Sequence, residues 1–166
     1  MNNMFIFTDA SKCIGCLNCE LACAASHMGM SMEEALTSGK KLITRNRVVK
    51  VHEKTAPMQC MHCNNPSCLT VCPHDVIQHE GHFVKVYEEK CVGCGCCSLV
   101  CPYGAIKMVE QDIPETQINQ QIAIKCDLCC ESEDGPACVQ ICPSDAICLI
   151  DYNEYAKISS SKEQML

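Results

Sequence analysis

Sixteen of the 19 cysteines fall into four runs that obey one spacing rule. The first run, CIGCLNCELAC, supplies Cys13, Cys16, Cys19 and Cys23, and the second, CMHCNNPSCLTVCP, supplies Cys60, Cys63, Cys68 and Cys72. The third, CVGCGCCSLVCP, supplies Cys91, Cys94, Cys97 and Cys101; the fourth, CDLCCESEDGPACVQICP, supplies Cys126, Cys129, Cys138 and Cys142. Each run opens C-x2-C and closes C-x3-C, and only the middle gap changes. The rule leaves out Cys96, Cys130 and Cys148, which read as small buried or loop thiols.

That spacing suits a cubane cluster. Thiols at i, i+3 and i+6 wrap three iron corners from one tight loop. The fourth thiol, one helical turn later, faces elsewhere, as in bacterial two-cluster ferredoxins, where it serves the other cluster. Zinc sites use two C-x2-C pairs across a long spacer or mix in histidine, and four consecutive four-Cys runs do neither. Disulfides need an oxidising compartment. The chain opens MNNMFIFTDASK, with no secretory signal and no twin arginine, and 19 is an odd total, so a reducing cytoplasm is expected. Sixteen ligands then give four [4Fe–4S] clusters. With every iron held by Cys, no coordination position is open to a substrate, and an electron carrier without catalytic residues is expected. His62 and His74 read as loop imidazoles, able at most to tune a nearby cluster.

Composition agrees. The 48% of hydrophobic residues includes the cysteines, and there are only three Phe, four Tyr and no Trp. Such a chain must draw part of its cohesion from what its thiols bind. Formal net charge is −7, and four clusters at about −2 each bring the loaded protein to roughly −15. That excludes nucleic acid as a partner and favours proteins with a basic docking face. No apolar run approaches a membrane span, so there is no direct membrane insertion and any attachment is expected through partners. Lysine precedes the first cysteine of three runs, as Lys12, Lys90 and Lys125. A cation beside an anionic cluster raises its reduction potential; a solvated loop lysine does not, and the sequence weights the two readings equally.

The segments between the runs must position them. FIFTD at 5–9, LITRNRVVKVHEK at 42–54, AIKMVE after the third run and AICLIDY after the fourth read as strands. VIQHEGHFVKVYEEKC reads as a hairpin turning at Glu80-Gly81. Residues 31–38 read as a helix with a Ser31/Glu34 capping box. Proline halts the short helices of runs two to four, while Ala24 lets the first continue toward Gly29. QDIPETQINQQ reads as an irregular surface connection, and DYNEYAKISSSKEQML as a frayed terminus, with an interaction tail as the alternative. The expected class is α+β. Runs two and three are spaced like a compact two-cluster module over 55–110. Runs one and four then form an outer module, 1–54 plus 111–150, in a single body with a tail at 151–166. Spacing alone also admits tandem modules.

FIFTDASKCIGCLNCELACAASH, CNNPSCLTVCP, KCVGCGCCSLVCPYGAI and KCDLCCESEDGPACVQICP, spread from residue 5 to about 150, resemble a known family. It is the four-cluster ferredoxin-like electron-transfer subunits of the dimethyl sulfoxide reductase iron–sulfur family. The resemblance is closest to those of formate hydrogenlyase, formate dehydrogenase and hydrogen-dependent carbon dioxide reductase. It implies nested modules with crossed ligation: Cys13, Cys16, Cys19 and Cys142 on cluster 1; Cys126, Cys129, Cys138 and Cys23 on cluster 2. Cys60, Cys63, Cys68 and Cys101 would then hold cluster 3, and Cys91, Cys94, Cys97 and Cys72 cluster 4. It further implies a relay between a formate dehydrogenase-like molybdenum or tungsten subunit and an iron-iron or nickel-iron hydrogenase subunit, or another ferredoxin-like subunit. Two other functions fit the same motifs: an accessory or maturation protein for such a complex, and a cluster-rich core that polymerises by self-association.

Overall fold

The computed structural model describes residues 2–113 and 118–163. Strand β1 (Met4–Thr8) pairs antiparallel with β8 (Ile147–Asp151), Met4 facing Asp151 and Thr8 facing Ile147. Between them come helices α1 (Asn18–His27) and α2 (Met32–Thr37), the hairpin of β2 (Arg47–Val51) and β3 (Lys54–Met58), and helix α3 (Ser67–Val71). There follow the hairpin of β4 (Ile77–Glu80) and β5 (Phe83–Val86), a 3-10 turn (Glu88–Lys90) and helix α4 (Cys96–Val100). The hairpin of β6 (Lys107–Ile113) and β7 (Ile118–Ile124) and helix α5 (Ala137–Gln140) lead to β8, and helix α6 (Tyr152–Glu163) follows it directly. Among the described residues every sheet is a ribbon of two strands.

Isolated two-stranded ribbons are marginal in water, so these lean on small cores that the cysteines help to build. One core joins Val76, Ile77, Val84, Val86, Ile106, Ile122, Ala123 and Ile124 to Cys91 and Cys97; another joins Ile6 and Ile147 to Cys19 and Cys138. Local signals set the element ends. The Ser31 hydroxyl accepts the Glu34 amide at 3.2 Å and the Glu34 carboxylate accepts the Ser31 amide at 2.8 Å, completing the capping box of α2. Helices α3 and α4 stop at Cys72 and Cys101, which lie in extended conformation, ψ 114° and 113°, as a residue before proline must. Helix α1, with Ala24 in place of proline, runs on to His27, and Gly29 at φ 63° turns the chain away.

Three segments differ from their sequence reading. Residues 42–54 are not one strand but the start of the β2–β3 hairpin, turning through His52 at φ 53°; a turn without glycine gave no signal. Much of QDIPETQINQQ is strand, because β6 and β7 pair from Lys107↔Ile124 to Ile113↔Ile118; its polar residues hid a strand that runs on into the buried stretch Ile122, Ala123 and Ile124. Residues 114–117 of that stretch lie outside the described residues. The supposed frayed terminus is helix α6 up to Glu163, docked by aromatic rings, with 164–166 outside the described residues. Phe5 meets the rings of Tyr152 and Tyr155 at centroid distances of 4.8 and 5.6 Å, and the Tyr152 hydroxyl donates to the Met61 carbonyl at 2.9 Å.

Strand β7 also clamps the third cysteine loop. The Gln120 side chain donates to the Cys91 carbonyl at 2.7 Å, and the Ala123 amide to Cys91 Sγ at 3.3 Å. A Cβ on Gly93, at φ 76°, would stand 2.1 Å from the Gln121 carbonyl oxygen. Gly93→Ala is therefore expected to destabilise the loaded protein by about 3 kcal/mol, strain and backbone clash together. Gly29→Ala, at φ 63° with no atom within 4 Å, should cost only about 1 kcal/mol; thermal unfolding midpoints separate the two. Tyr155→Ala should weaken the docking of α6 by about 1–2 kcal/mol, seen as faster tryptic cleavage after Lys157.

Candidate metal centres

The third residue of every run is left-handed: Gly15 at φ 69°, His62 at 44°, Gly93 at 76° and Leu128 at 60°. Only two are glycines. A left-handed residue in a tight loop turns successive amides toward the concave side, making a nest for negative charge, and the His62 amide donates to Cys60 Sγ at 3.4 Å. A second left-handed position lies three residues past the last cysteine of each Cys-Pro run, at Asp75, Gly104 and Asp145. The amide after it reaches the thiol in two of them, Ala105 to Cys101 at 3.4 Å and Ala146 to Cys142 at 3.3 Å. Run one lacks the proline turn, and there Cys23 receives the Arg45 amide instead, at 3.3 Å.

Three small cavities gather four of the sixteen thiols each, always three from one run and the last from another. Cys13, Cys16 and Cys19 share theirs with Cys142. Cys60, Cys63 and Cys68 share theirs with Cys101, and Cys91, Cys94 and Cys97 with Cys72. Of the remaining four, Cys138 lies within electrostatic reach of Cys23, Cys129 and Cys126, where α1 packs on α5. Burial first, then Cys23, Cys129 and Cys19, push the Cys138 thiol up to about 12. Burial likewise carries Cys19 and Cys68 to about 11 and Cys126 well above the usual thiol range. Thiols so placed resist ionising alone, and the local positive charge of iron reverses that preference. Cys142 is already tuned for it: burial opposes its thiolate, but the amides of Ser144, Ala146 and Ile147 outweigh burial and lower its pKa. Thiol sets of this kind, with backbone N–H groups aimed at several of the sulfurs, fit [4Fe–4S] clusters.

Side chains that the spacing rule says nothing about brace these sets. His27, one helical turn past Cys23, donates from Nδ1 to the Cys23 carbonyl at 2.7 Å and from Nε2 to Asp127 at 3.0 Å. Both nitrogens donate, so the ring is an imidazolium. Burial lowers its pKa, but the bonds to Asp127 and Cys23 and the Asp127 charge outweigh burial and raise it to about 10. Arg45 binds Glu88 at 2.5 Å and Asp127 at 3.4 Å. These charges line a cavity of about 690 Å³ beside Cys129. Imidazole, carboxylate and thiol of His27, Asp127 and Cys129 lie within 4.8 Å of one another, yet His27 and Arg45 already engage the carboxylate. Buried Asn3 donates to the carbonyls of His62 and Cys63 at 2.8 and 3.2 Å, tying β1 to the second loop.

The two loop histidines part company: His74 is exposed, whereas His62 is wholly buried. Its Nδ1 accepts the Val84 amide at 3.1 Å, which leaves the proton on Nε2, and that nitrogen has no protein partner. Cys130 and Cys148 are exposed; Cys96 opens α4 half-buried, its thiol held protonated by a hydrogen bond with Cys94. Among the ligand candidates Cys16 and Cys94 are the exposed ones, flanked by exposed Ile14 and Leu17 and by exposed Val92. No helix among the described residues is long and apolar enough to cross a membrane.

Known proteins resemble this chain in sequence. Residues 12–76 match the family described as 4Fe-4S dicluster domain, and residues 57–112 that described as LdpA Fe-S cluster-binding domain. The chain is 42% identical over 149 residues to YsaA of Escherichia coli (strain K12), covering 90% of each. It is 37% identical over 169 residues to the electron transport protein HydN of the same strain, covering 98% of this chain and 96% of that one. It is 32% identical over 189 residues to formate hydrogenlyase subunit 2 of that strain, covering 98% and 89%. The chain therefore belongs to the ferredoxin-like [4Fe–4S] electron-transfer family of HydN and formate hydrogenlyase subunit 2, and it is an iron–sulfur electron relay.

Proposed function

We propose that the relay has four clusters in one series, between a formate dehydrogenase-like molybdenum or tungsten subunit and a hydrogenase or other ferredoxin-like partner in the cytoplasm. The observation that carries this reading is the sharing of each thiol set between two runs: one with four, and two with three. Crossed sharing supports an outer module at 1–54 plus 111–150 folded around an inner one at 55–110. It also supports an order. Cys138 senses thiols of its own set and Cys19 of the neighbouring one; Cys126 senses Cys60 across the junction between modules. The sets of Cys13 and Cys91 are then the ends, and each has an exposed ligand, Cys16 or Cys94, among exposed aliphatic side chains where a partner would dock. Each cluster, when bound, takes up and gives back one electron. The protein's part is to hold the sulfurs, exclude water and leave no iron open, so it has no catalysis of its own. The kinship with formate hydrogenlyase subunit 2 supports the choice of partners.

Anaerobic analysis is expected to find about sixteen irons and sixteen acid-labile sulfides per chain; about eight or twelve, or bound zinc, would reject the four-set reading. Cys60→Ser or Cys101→Ser should remove one inner cluster. Electron transfer between the two partner enzymes should fall at least about a hundredfold, while each partner still reduces or oxidises an artificial dye. Undiminished coupling in a variant shown to lack that cluster would favour the accessory or maturation role instead.

A further inference from the structure

The three lysines that precede cysteine runs are not equivalent in the fold. Lys12 and Lys90 are exposed, but Lys125 is 1% exposed. Its Nζ donates to the carbonyl of Val84 and, at 3.0 Å, to that of Cys126. Among the described residues no carboxylate lies within ion-pair reach of it. A buried ammonium held only by carbonyls is costly unless negative charge stands near. The groups positioned to supply that charge are thiols of two runs. Val84, whose carbonyl takes Nζ, lines the cavity that holds Cys60, Cys63, Cys68 and Cys101, and the other carbonyl that takes Nζ is that of Cys126 itself. Val84 gathers the junction, its carbonyl taking Lys125 and its amide bonding His62, whose Nε2–H lies buried without a protein partner.

We propose that Lys125, with His62 beside it, sets the potentials of the two inner couples, those of the Cys60, Cys63, Cys68 and Cys101 set and of the Cys126, Cys129, Cys138 and Cys23 set. This rests on the four-set ligation proposed above. A fixed cation favours the more negative, reduced form of a neighbouring couple. Lys12 and Lys90, in water, are screened. The first electron supplied by an external reductant such as dithionite therefore settles at the junction between the modules rather than at either exposed end. The relay is a well with a rim on each side, and an electron entering from one partner waits in the middle until the other can take it.

The test is an anaerobic redox titration followed by electron paramagnetic resonance on the loaded full chain and on Lys125→Gln, which keeps amide donors for the two carbonyls and removes the charge. A unit charge about 10 Å away at an effective dielectric of about 20 alters the reduced-to-oxidised ratio at fixed poise about tenfold, or about 59 mV for a one-electron couple. The two least negative couples should fall by that order in Lys125→Gln with iron content unchanged, and Lys90→Gln should move none of them. Four unmoved couples in an iron-replete Lys125→Gln chain would overturn the proposal. If that variant loses iron, the unaltered protein decides: with the first electron, the cysteine β-proton resonances of Cys68 and Cys126 should shift before those of Cys16 and Cys94, and the reverse order overturns it. An unaltered chain without about sixteen irons would instead sink the ligation reading, which the metal count distinguishes.

Discussion

The structure depends on one local demand, that three thiols within a few residues converge on a point while the amides between them face the same way. An extended or helical segment does neither, and a single left-handed residue at the third position of each run does both. Gly15 and Gly93 adopt that conformation freely; His62 and Leu128 adopt it against their own preference, so the surroundings must hold them there. For His62 the holding groups are visible in the Val84 amide on its ring and the Asn3 side chain on its carbonyl. The ribbons and short helices act largely as struts for these loops.

Because the apolar cores are small, cohesion between loops passes through side chains that bond backbone. Asn46 reaches the Cys19 carbonyl, Gln59 the Ile6 carbonyl, and Lys107 the carbonyls of Thr44 and Asn46. Each satisfies a backbone group that irregular loops leave open, which a larger β-sheet would have satisfied by itself. Arg45 is the densest of these ties, touching Glu88, Asp127 and the Lys125 carbonyl with its side chain and Cys23 with its amide. Electrostatics and mechanics meet in it, since the same residue braces a cysteine and neutralises the acids around it.

Much of the site was legible because the spacing of sixteen cysteines is itself a geometric statement, and so were the proline stops and the Ser31–Glu34 cap. What stayed hidden was relational. Nothing in KCDLCC separates Lys125 from Lys12 or Lys90; burial did, and burial is set by β5 packing from forty residues away. His62 read as a loop imidazole because its buried state depends on Asn3 and Val84. The β6–β7 hairpin was obscured because its many polar residues read as a loop when the partner strand is unknown, and α6 because its anchor, Phe5, is distant in sequence.

The pairing of β1 with β8 has a consequence for the order in which the protein is made. Residues Met4–Thr8 are made before their partners Ile147–Asp151, with the cysteine runs and the intervening hairpins between them. At roughly 5–20 residues per second, the first strand spends on the order of ten seconds unpaired, with Phe5 and Ile6, both destined to be buried, open to water and to other chains. The hairpins in between can close as they emerge, since their strands are neighbours in sequence. Closing this long loop late makes β1 the segment most in need of protection during synthesis, and makes loss of β8 and α6 a defect felt at β1.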